Sequence, residues 1–253
     1  MTAEHSSAGN PLYESFLRGA PGRPVIHKWH HYFDVYEAHF APFRGKAPTV
    51  LEIGVQNGGS LRLWREYFGP EARLFGADID PACVGRAPAD SQVFIGDQAD
   101  PEFLKRVLGA SGPPDIVIDD GGHRSNQMIQ SFRAIYPAMR APGVYLVEDT
   151  HTQFWGGSWV EGPDGNFLDF AYRIARSLND WTGKAENFAK LHVPPERRTS
   201  ALPASFACKT THSVSFYDSV VVFARRDRPE PYCEFRVQDP SLDNPPHPFP
   251  QVG

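Results

Sequence analysis

The sequence predicts an α/β protein: a doubly wound sheet of seven strands with a C-terminal antiparallel hairpin and a helical N-terminal cap. Three observations carry this. Short apolar runs alternate with amphipathic stretches through the middle of the chain, the pattern of a parallel sheet covered on both faces by helices. The apolar runs end in Gly or Asp, as buried strands do when they enter a turn. Near the C-terminus, "HSVSFYDSVVVFARR" places two apolar runs around Tyr217-Asp218, a hairpin pattern.

The elements follow in order. "PTVLEIGV" (48–55) is the first strand, and "LRLWREYFGP" is a helix with Leu61, Trp64 and Phe68 on one face and Gly69-Pro70 as its stop. "ARLFGADIDP" and "SQVFIGD" are the second and third strands. "DPEFLKRVLG" is a short helix with Asp100 as N-cap, Pro101 in its first turn and Gly109 as C-cap. "PDIVIDD" is the fourth strand. "SNQMIQSFRAIYPAMR" puts Met128, Ile129, Phe132, Ile135, Tyr136 and Met139 on one helical face, with Ser125 as N-cap. "GVYLVED" is the fifth strand, and "FLDFAYRIARSLNDW" a further amphipathic helix.

The totals agree with one core. The chain has 253 residues with 41% hydrophobic and 13% aromatic content, sufficient for a sizeable core. A net charge of −5 argues against general nucleic-acid or anionic-membrane binding. No apolar run approaches the roughly 18 residues of a spanning helix. The N-terminus lacks a basic region followed by an apolar run, so no signal peptide is read there. Cys83, Cys208 and Cys233 are scattered without CxxC spacing, which suits reduced thiols in the cytoplasm. The expected division is a helical cap or lid over residues 1–46, a main domain over 47–226, and a Pro-rich tail over 227–253. The cap includes the aromatic- and His-rich "HKWHHYFDVYEAHF".

"LEIGVQNGGS" sets Glu52, Gly54, Gly58, Gly59 and Ser60 at the turn between the first strand and its helix. Glycines there let backbone approach a ligand, and the helix N-terminus favours negative charge. The spacing is not the G-x-G-x-x-G dinucleotide fingerprint. Glu52 suits a ligand carrying an ammonium group. Asp78 ends the second strand 24 positions after Gly54, the usual place for a carboxylate on ribose hydroxyls. Asp97 and Gln98 end the third strand, within reach of an adenine amino group. A nucleoside with a methionine-like arm and no phosphate is S-adenosylmethionine (SAM).

"VLEIGVQNGGSL", "GADIDP", "FIGDQAD", "IDDGGH" and "LVEDT", in that order, resemble the class I SAM-dependent methyltransferases with their Rossmann-like sheet. More narrowly they resemble the metal-dependent sugar O-methyltransferases of antibiotic biosynthesis, the mycinamicin and rhamnosyl type, and the related cephalosporin-hydroxylase-type proteins. The resemblance covers residues 28–226. The glycine turn is shared by many methyltransferases, whereas the DDGGH and ED pair is much more specific.

In a methyltransferase sheet the fourth and fifth strands are neighbours, so Asp120, Glu148 and Asp149 should converge beside the cofactor. Clustered carboxylates need a cation, and an all-oxygen set suits a hard divalent ion, Mg²⁺ first. The resemblance implies the same three residues as magnesium ligands and His123 as the general base toward an acceptor hydroxyl. The chemistry is consistent, because a neutral imidazole can take the proton of a hydroxyl that a metal polarises. Asp119 is expected to face the other side, supporting the loop or the cofactor. Where the family often has Ser, this chain has Gly122, with no expected consequence. "EDTHTQFWGGSW" offers His151, Phe154 and Trp155 either to an acceptor or to loop anchoring. Trp29 and Tyr32 belong equally to a lid or to the core.

The function read from this is Mg²⁺-dependent methylation by SAM of a hydroxyl, on a deoxysugar of a natural product. A homo-oligomer is implied by the resemblance alone. Three other readings use the same residues: a non-catalytic accessory subunit with a SAM fold, a nicotinamide-dependent enzyme, and a non-haem iron site on Asp120, His123 and His151. The last leaves the glycine turn and Asp78 without a role.

Overall fold

The structure is a computed structural model, and it describes residues 9–18, 22 and 24–234. The predicted tail "PSLDNPPHPFPQ" lies outside the described residues. Seven strands form one sheet: β1 (Thr49–Ile53), β2 (Arg73–Asp78), β3 (Ser91–Ile95), β4 (Ile116–Asp119), β5 (Gly143–Val147), β6 (Thr211–Tyr217) and β7 (Val220–Arg225). Their order is β3-β2-β1-β4-β5-β7-β6. Strands β1 to β5 are parallel, and β7 runs antiparallel to both β5 and β6. The predicted sheet and its closing hairpin are both present. Ser219 takes the left-handed backbone (φ 63°) that the tight turn at Asp218-Ser219 requires.

The helices are α1 (Pro11–Leu17), α2 (Tyr32–Phe40), α3 (Gly59–Phe68), α4 (Pro101–Ser111), α5 (Ser125–Ile135), α6 (Phe167–Ser177), α7 (Phe188–Leu191) and α8 (Phe206–Thr210). Asp100 caps α4 by accepting from the Glu102 N–H at 2.9 Å. Several helix ends differ from expectation: α5 stops at Ile135 rather than continuing to Arg140, and α6 at Ser177 rather than Trp181. Helix α4 runs past Gly109 and stops at Gly112, whose φ of 72° suits a helix end, so Gly109 is interior. Ser125 is the first helical residue of α5 rather than its cap, and Arg124 holds the cap position. The Ser125 hydroxyl is engaged elsewhere, by the Gln153 side chain and the Phe167 N–H.

Period-two alternation divides the strands between two cores. Val50, Leu74, Ile116, Ile118, Val144 and Leu146 face α2 and α3, where Tyr36, Phe40, Trp64 and Phe68 are buried. Leu51, Ile53, Val117, Tyr145 and Val147 face α4, α5 and α6. Tyr36 and Phe40 meet Trp64 edge-on, at centroid distances of 5.2 and 5.8 Å. The described part of the N-terminal segment therefore shares the core of the sheet. A third cluster, around Trp181, Leu191, Leu202 and Cys208, anchors the stretch between α6 and β6.

Register positions the site. Ile53 pairs with Asp119 and Asp119 with Val147, so the residues one step further, Gly54, Asp120 and Glu148, leave the sheet at one level. Gly54 has φ 91°, and a Cβ there would lie 2.0 Å from the Asp120 carbonyl oxygen. Only glycine lets the β1 turn lie against the end of β4.

Candidate active site

A cleft of about 330 Å³ opens at the carboxyl ends of β1 to β5, where ligands of open α/β sheets bind. Among the sequence-predicted residues, Gly54, Asp78, Asp97, Gln98, Asp120, His123, Glu148 and Asp149 line it. Glu52, Gly58, Ser60 and Asp119 do not line it. Six carboxylates (Asp78, Asp80, Asp97, Asp120, Glu148, Asp149) face it against the cationic side chains Lys28 and Arg86. That balance suits a cationic ligand and opposes a pyrophosphate, which disfavours the nicotinamide reading.

Asp78 Oδ2 accepts from the backbone N–H of Val55 and Gln56 at 2.8 and 2.9 Å, and Oδ1 accepts from Asp80 N–H at 2.9 Å. Burial works against the charge, but these N–H donors outweigh it and hold the carboxyl below its usual range. A carboxylate has about four lone-pair sites, so Asp78 retains capacity for a ribose hydroxyl. Asp97 is exposed at the rim and caps the Ala99 N–H. Gln98 turns inward: its amide donates to Asp119 at 2.9 Å and to Ser131 at 3.1 Å, and its carbonyl accepts from Gly122 N–H at 2.7 Å. Its amide is thus committed to holding the loop that follows β4.

Strand parity explains the two remaining acids. Glu52 points to the α3 face with Val50, where Ser60 Oγ and Trp64 Nε1 donate to its two oxygens at 2.7 and 3.0 Å. Burial pushes its carboxyl up to about 7, against the opposing effects of Lys28, Trp64 and Ser60. Glu52 therefore braces the glycine turn from beneath. Asp119 points to the opposite face, held by Gln98 and by Tyr145 Oη at 3.2 Å, and burial pushes it up to about 7. Between roughly pH 4.5 and 7 the folded Glu52 holds a proton that the unfolded chain has released, so stability falls as pH rises through that window. Glu52→Gln keeps an acceptor for Trp64, offers the Ser60 hydroxyl an amide donor in place of the carboxylate acceptor, and removes the titrating group. We expect it to melt above wild type at pH 8 by on the order of 3 kcal/mol, with no gain at pH 4; equal effects at both pH values would contradict this.

Asp120, His123 and Asp149 come together in the cleft. Each offers one ligand atom, and these atoms all lie within 4.8 Å of one another. His123 Nε2 is 3.7 Å from Asp149 Oδ2 and 4.0 Å from Asp120 Oδ1. His123 and Asp149 both adopt left-handed backbone, with φ of 55° and 52°. Such strain in non-glycine residues persists only where surrounding structure enforces it. Here Thr152 Oγ1 and Gln153 Nε2 donate to the His123 carbonyl, and Tyr32 Oη donates to Asp149 Oδ1 at 2.6 Å. The left-handed turn swings Asp149 off the strand parity and toward Asp120. Two carboxylates beside an imidazole fit a divalent ion such as Mg²⁺ or Mn²⁺ that keeps several waters.

Glu148 is placed differently from its expected partners. Its side chain is turned to the α2 face, where Lys28 Nζ contacts its oxygens at 2.9 and 2.8 Å and Tyr36 Oη donates to Oε1 at 2.7 Å. Lys28 also reaches Asp120 Oδ2 at 2.5 Å. Burial opposes the ammonium, but Asp120 and Glu148 reverse that and raise its pKa. The sequence reading missed Lys28 and Tyr36; the signal was a single lysine at the head of an aromatic helix. A Cβ at Gly122 would meet Gln127 Oε1 at 2.2 Å, the far end of a flexible side chain that can turn aside. Above the centre, the His151 ring meets Trp29 at 6.0 Å and Trp155 at 5.2 Å, and Trp155 meets Trp159 at 5.0 Å.

No family model matches the chain. It is 40% identical over 165 residues to the 8-demethyl-8-alpha-L-rhamnosyl tetracenomycin-C 2'-O-methyltransferase of Streptomyces olivaceus, covering 57% of this chain and 43% of that protein. It is 39% identical over 132 residues to the mycinamicin VI 2''-O-methyltransferase of Micromonospora griseorubida (48% and 32%). It is 32% identical over 199 residues to the demethylmacrocin O-methyltransferase of Streptomyces fradiae (70% and 49%). The chain spans about half the length of these curated relatives, or less. The MycE methyltransferase of the mycinamycin biosynthetic pathway, solved with Mg, SAH and mycinamycin VI, superposes with a TM-score of 0.66 at 27% identity, over 88% of this chain and 54% of that one. The chain carries the seven-stranded methyltransferase fold of the sugar O-methyltransferases of antibiotic pathways.

Proposed function

We propose that the chain is a SAM-dependent O-methyltransferase that uses a divalent ion, Mg²⁺ in the first place, to methylate a hydroxyl of a deoxysugar on a natural product. The observation that carries this is the meeting of Asp120, His123 and Asp149 in the floor of the acidic cleft. Asp120, Glu148 and Asp149 are the residues that would hold the ion; the Glu148 oxygens meet Lys28 in this structure. SAM supplies an electrophilic methyl group, and the ion makes a hydroxyl more acidic.

The remaining chemistry belongs to the chain. His123 Nε2 takes the proton of the acceptor hydroxyl, and the flanking Asp120 and Asp149 stabilise the imidazolium that results. Gly54 and Asp78 seat the nucleoside, and the acidic rim attracts a cofactor bearing ammonium and sulfonium charges. Trp29, His151 and Trp155 wall the acceptor side, where aromatic faces suit a sugar ring and its hydrophobic aglycone. Much of the rate comes from alignment of oxygen, methyl carbon and sulfur. Glycosylated small molecules rather than nucleic acid or membrane, a homo-oligomeric state and a cytoplasmic location belong to the same reading. No helix among the described residues is long and apolar enough to cross a membrane.

The test is methyl transfer from labelled SAM to a panel of rhamnosyl and other deoxysugar glycosides. We expect turnover that EDTA abolishes and Mg²⁺ restores. EDTA-insensitive turnover would remove the metal from the reading. Tight SAM binding with neither metal binding nor turnover would support the accessory-subunit alternative instead.

A further inference from the structure

We propose that the Gln127 carboxamide recognises the cofactor's adenine, its Oε1 accepting from the exocyclic amino group. The inference deepens the SAM reading given above and rests on it.

Adenine presents an amino donor beside a ring-nitrogen acceptor. A carboxamide matches that edge with one acceptor and one donor, which is why Gln and Asn pair with adenine in base recognition. The two residues at the end of β3 that the sequence offers for this role do not supply the match. The Gln98 amide nitrogen already donates to Asp119 and Ser131, and its oxygen accepts from the Gly122 N–H. Asp97 has acceptors alone, and its Oδ1 already accepts from the Ala99 N–H.

Gln127, the third residue of α5, lines the same cleft. Its Oε1 is shielded from solvent and has no hydrogen-bond partner among the described residues. Buried polar atoms are nearly always paired, so an unpaired one in the wall of a ligand cleft points to a partner that the ligand supplies. His123 Nδ1 is also buried and unpaired. The two residues are four apart in the chain, yet these atoms are not bonded to each other, and their pairing is the competing use of the amide.

Local structure brings the amide to the nucleoside side of the cleft. The Gln98 bond to the Gly122 N–H, at 2.7 Å, draws the loop after β4 across to the end of β3. There the Gly96 N–H donates to the Asp78 carbonyl at 2.9 Å, which ties that strand end to the residue expected at the ribose. The Gln127 amide lies against Gly122, where a Cβ would stand 2.2 Å from Oε1 and 2.7 Å from Nε2. It thus fills the place of a side chain at position 122. Beside Asp78, Ile79 lines the cleft at 68% exposure and offers an apolar face to a base. The turn that carries Gln127 is held by the Ser125 hydroxyl, which donates to Gln153 and accepts from the Phe167 N–H. A fixed turn lowers the ordering cost of binding.

The experiment is calorimetric titration of S-adenosylhomocysteine (SAH), and of its purine counterpart with hydrogen in place of the amino group, into the whole chain without metal or acceptor. Melting curves verify folding. Wild type should bind SAH about tenfold or more tightly than the counterpart. Gln127→Leu should bind SAH about tenfold more weakly and the counterpart with little change, so that the preference disappears. Gln127→Glu keeps an acceptor and should keep the preference for the amino-bearing base. Equal affinity of wild type for the two compounds would overturn the assignment, and that comparison stands even if Gln127→Leu does not fold. A preference that survives in Gln127→Leu would overturn it as well. If Gln127→Leu bound SAH as wild type does but turned over more slowly, the amide would belong to His123 instead. Failure of wild type to bind SAH at all would overturn the SAM reading itself.

Discussion

His123→Asn is expected to lower methyl transfer at neutral pH by about 10²- to 10⁴-fold, the usual contribution of a positioned general base. Asparagine tolerates left-handed backbone better than most residues, so the loop at φ 55° is retained. The carbonyl of residue 123 keeps its bonds from Thr152 and Gln153, which do not involve the imidazole. SAM and Mn²⁺ binding should therefore change far less than turnover. Raising the pH should recover part of the lost rate, since more of the acceptor hydroxyl is then ionised without help. Full turnover of His123→Asn or His123→Ala at neutral pH would exclude the base assignment.

Asp149→Asn is expected to weaken Mn²⁺ binding by about 100-fold or more and to reduce EDTA-sensitive turnover at least as much. Asparagine keeps the backbone turn and an acceptor for Tyr32 Oη, so the loss measures the negative charge rather than the fold. The melting temperature in the absence of metal should stay the same or rise, because one of three clustered carboxylates has been neutralised. Retained Mn²⁺ affinity in Asp149→Asn would remove this residue from the ion's ligands.

The contrast between these residues and their neighbours shows how far the sequence speaks. Strand and hairpin positions were legible because burial imposes a period of two and Gly or Asp marks each exit. Parity also told Asp119 from Asp120, and the structure places them on opposite faces. Glu52 was expected at the cofactor, and nothing local shows that Ser60 and Trp64, eight and twelve residues later, meet both its oxygens. Gln98 was legible as a site residue but its commitment to Asp119 and Gly122 was not. Lys28 and Tyr36 were invisible for the same reason: their partner Glu148 lies 120 and 112 residues away. Contacts of that separation are made by tertiary packing, which leaves no periodic trace. The stretch from residue 182 to β6, where Leu191, Leu202 and Cys208 cluster with Trp181, was not read as any element.

The bonds from Lys28, Tyr32 and Tyr36 to the carboxylates after β4 and β5 have a consequence for how the chain acquires its activity. Synthesis delivers the basic and phenolic half of the centre early, and the acidic partners of those residues 92 to 120 residues later. Strand β5 is in turn flanked by β7, and the Thr150 N–H donates to the Ser219 carbonyl. A nascent chain released before residue 219 can build most of the nucleoside cleft but not a braced ion site. Long-range closure of this kind is slow relative to local helix formation. In a refolding time course, cofactor binding should thus precede ion binding.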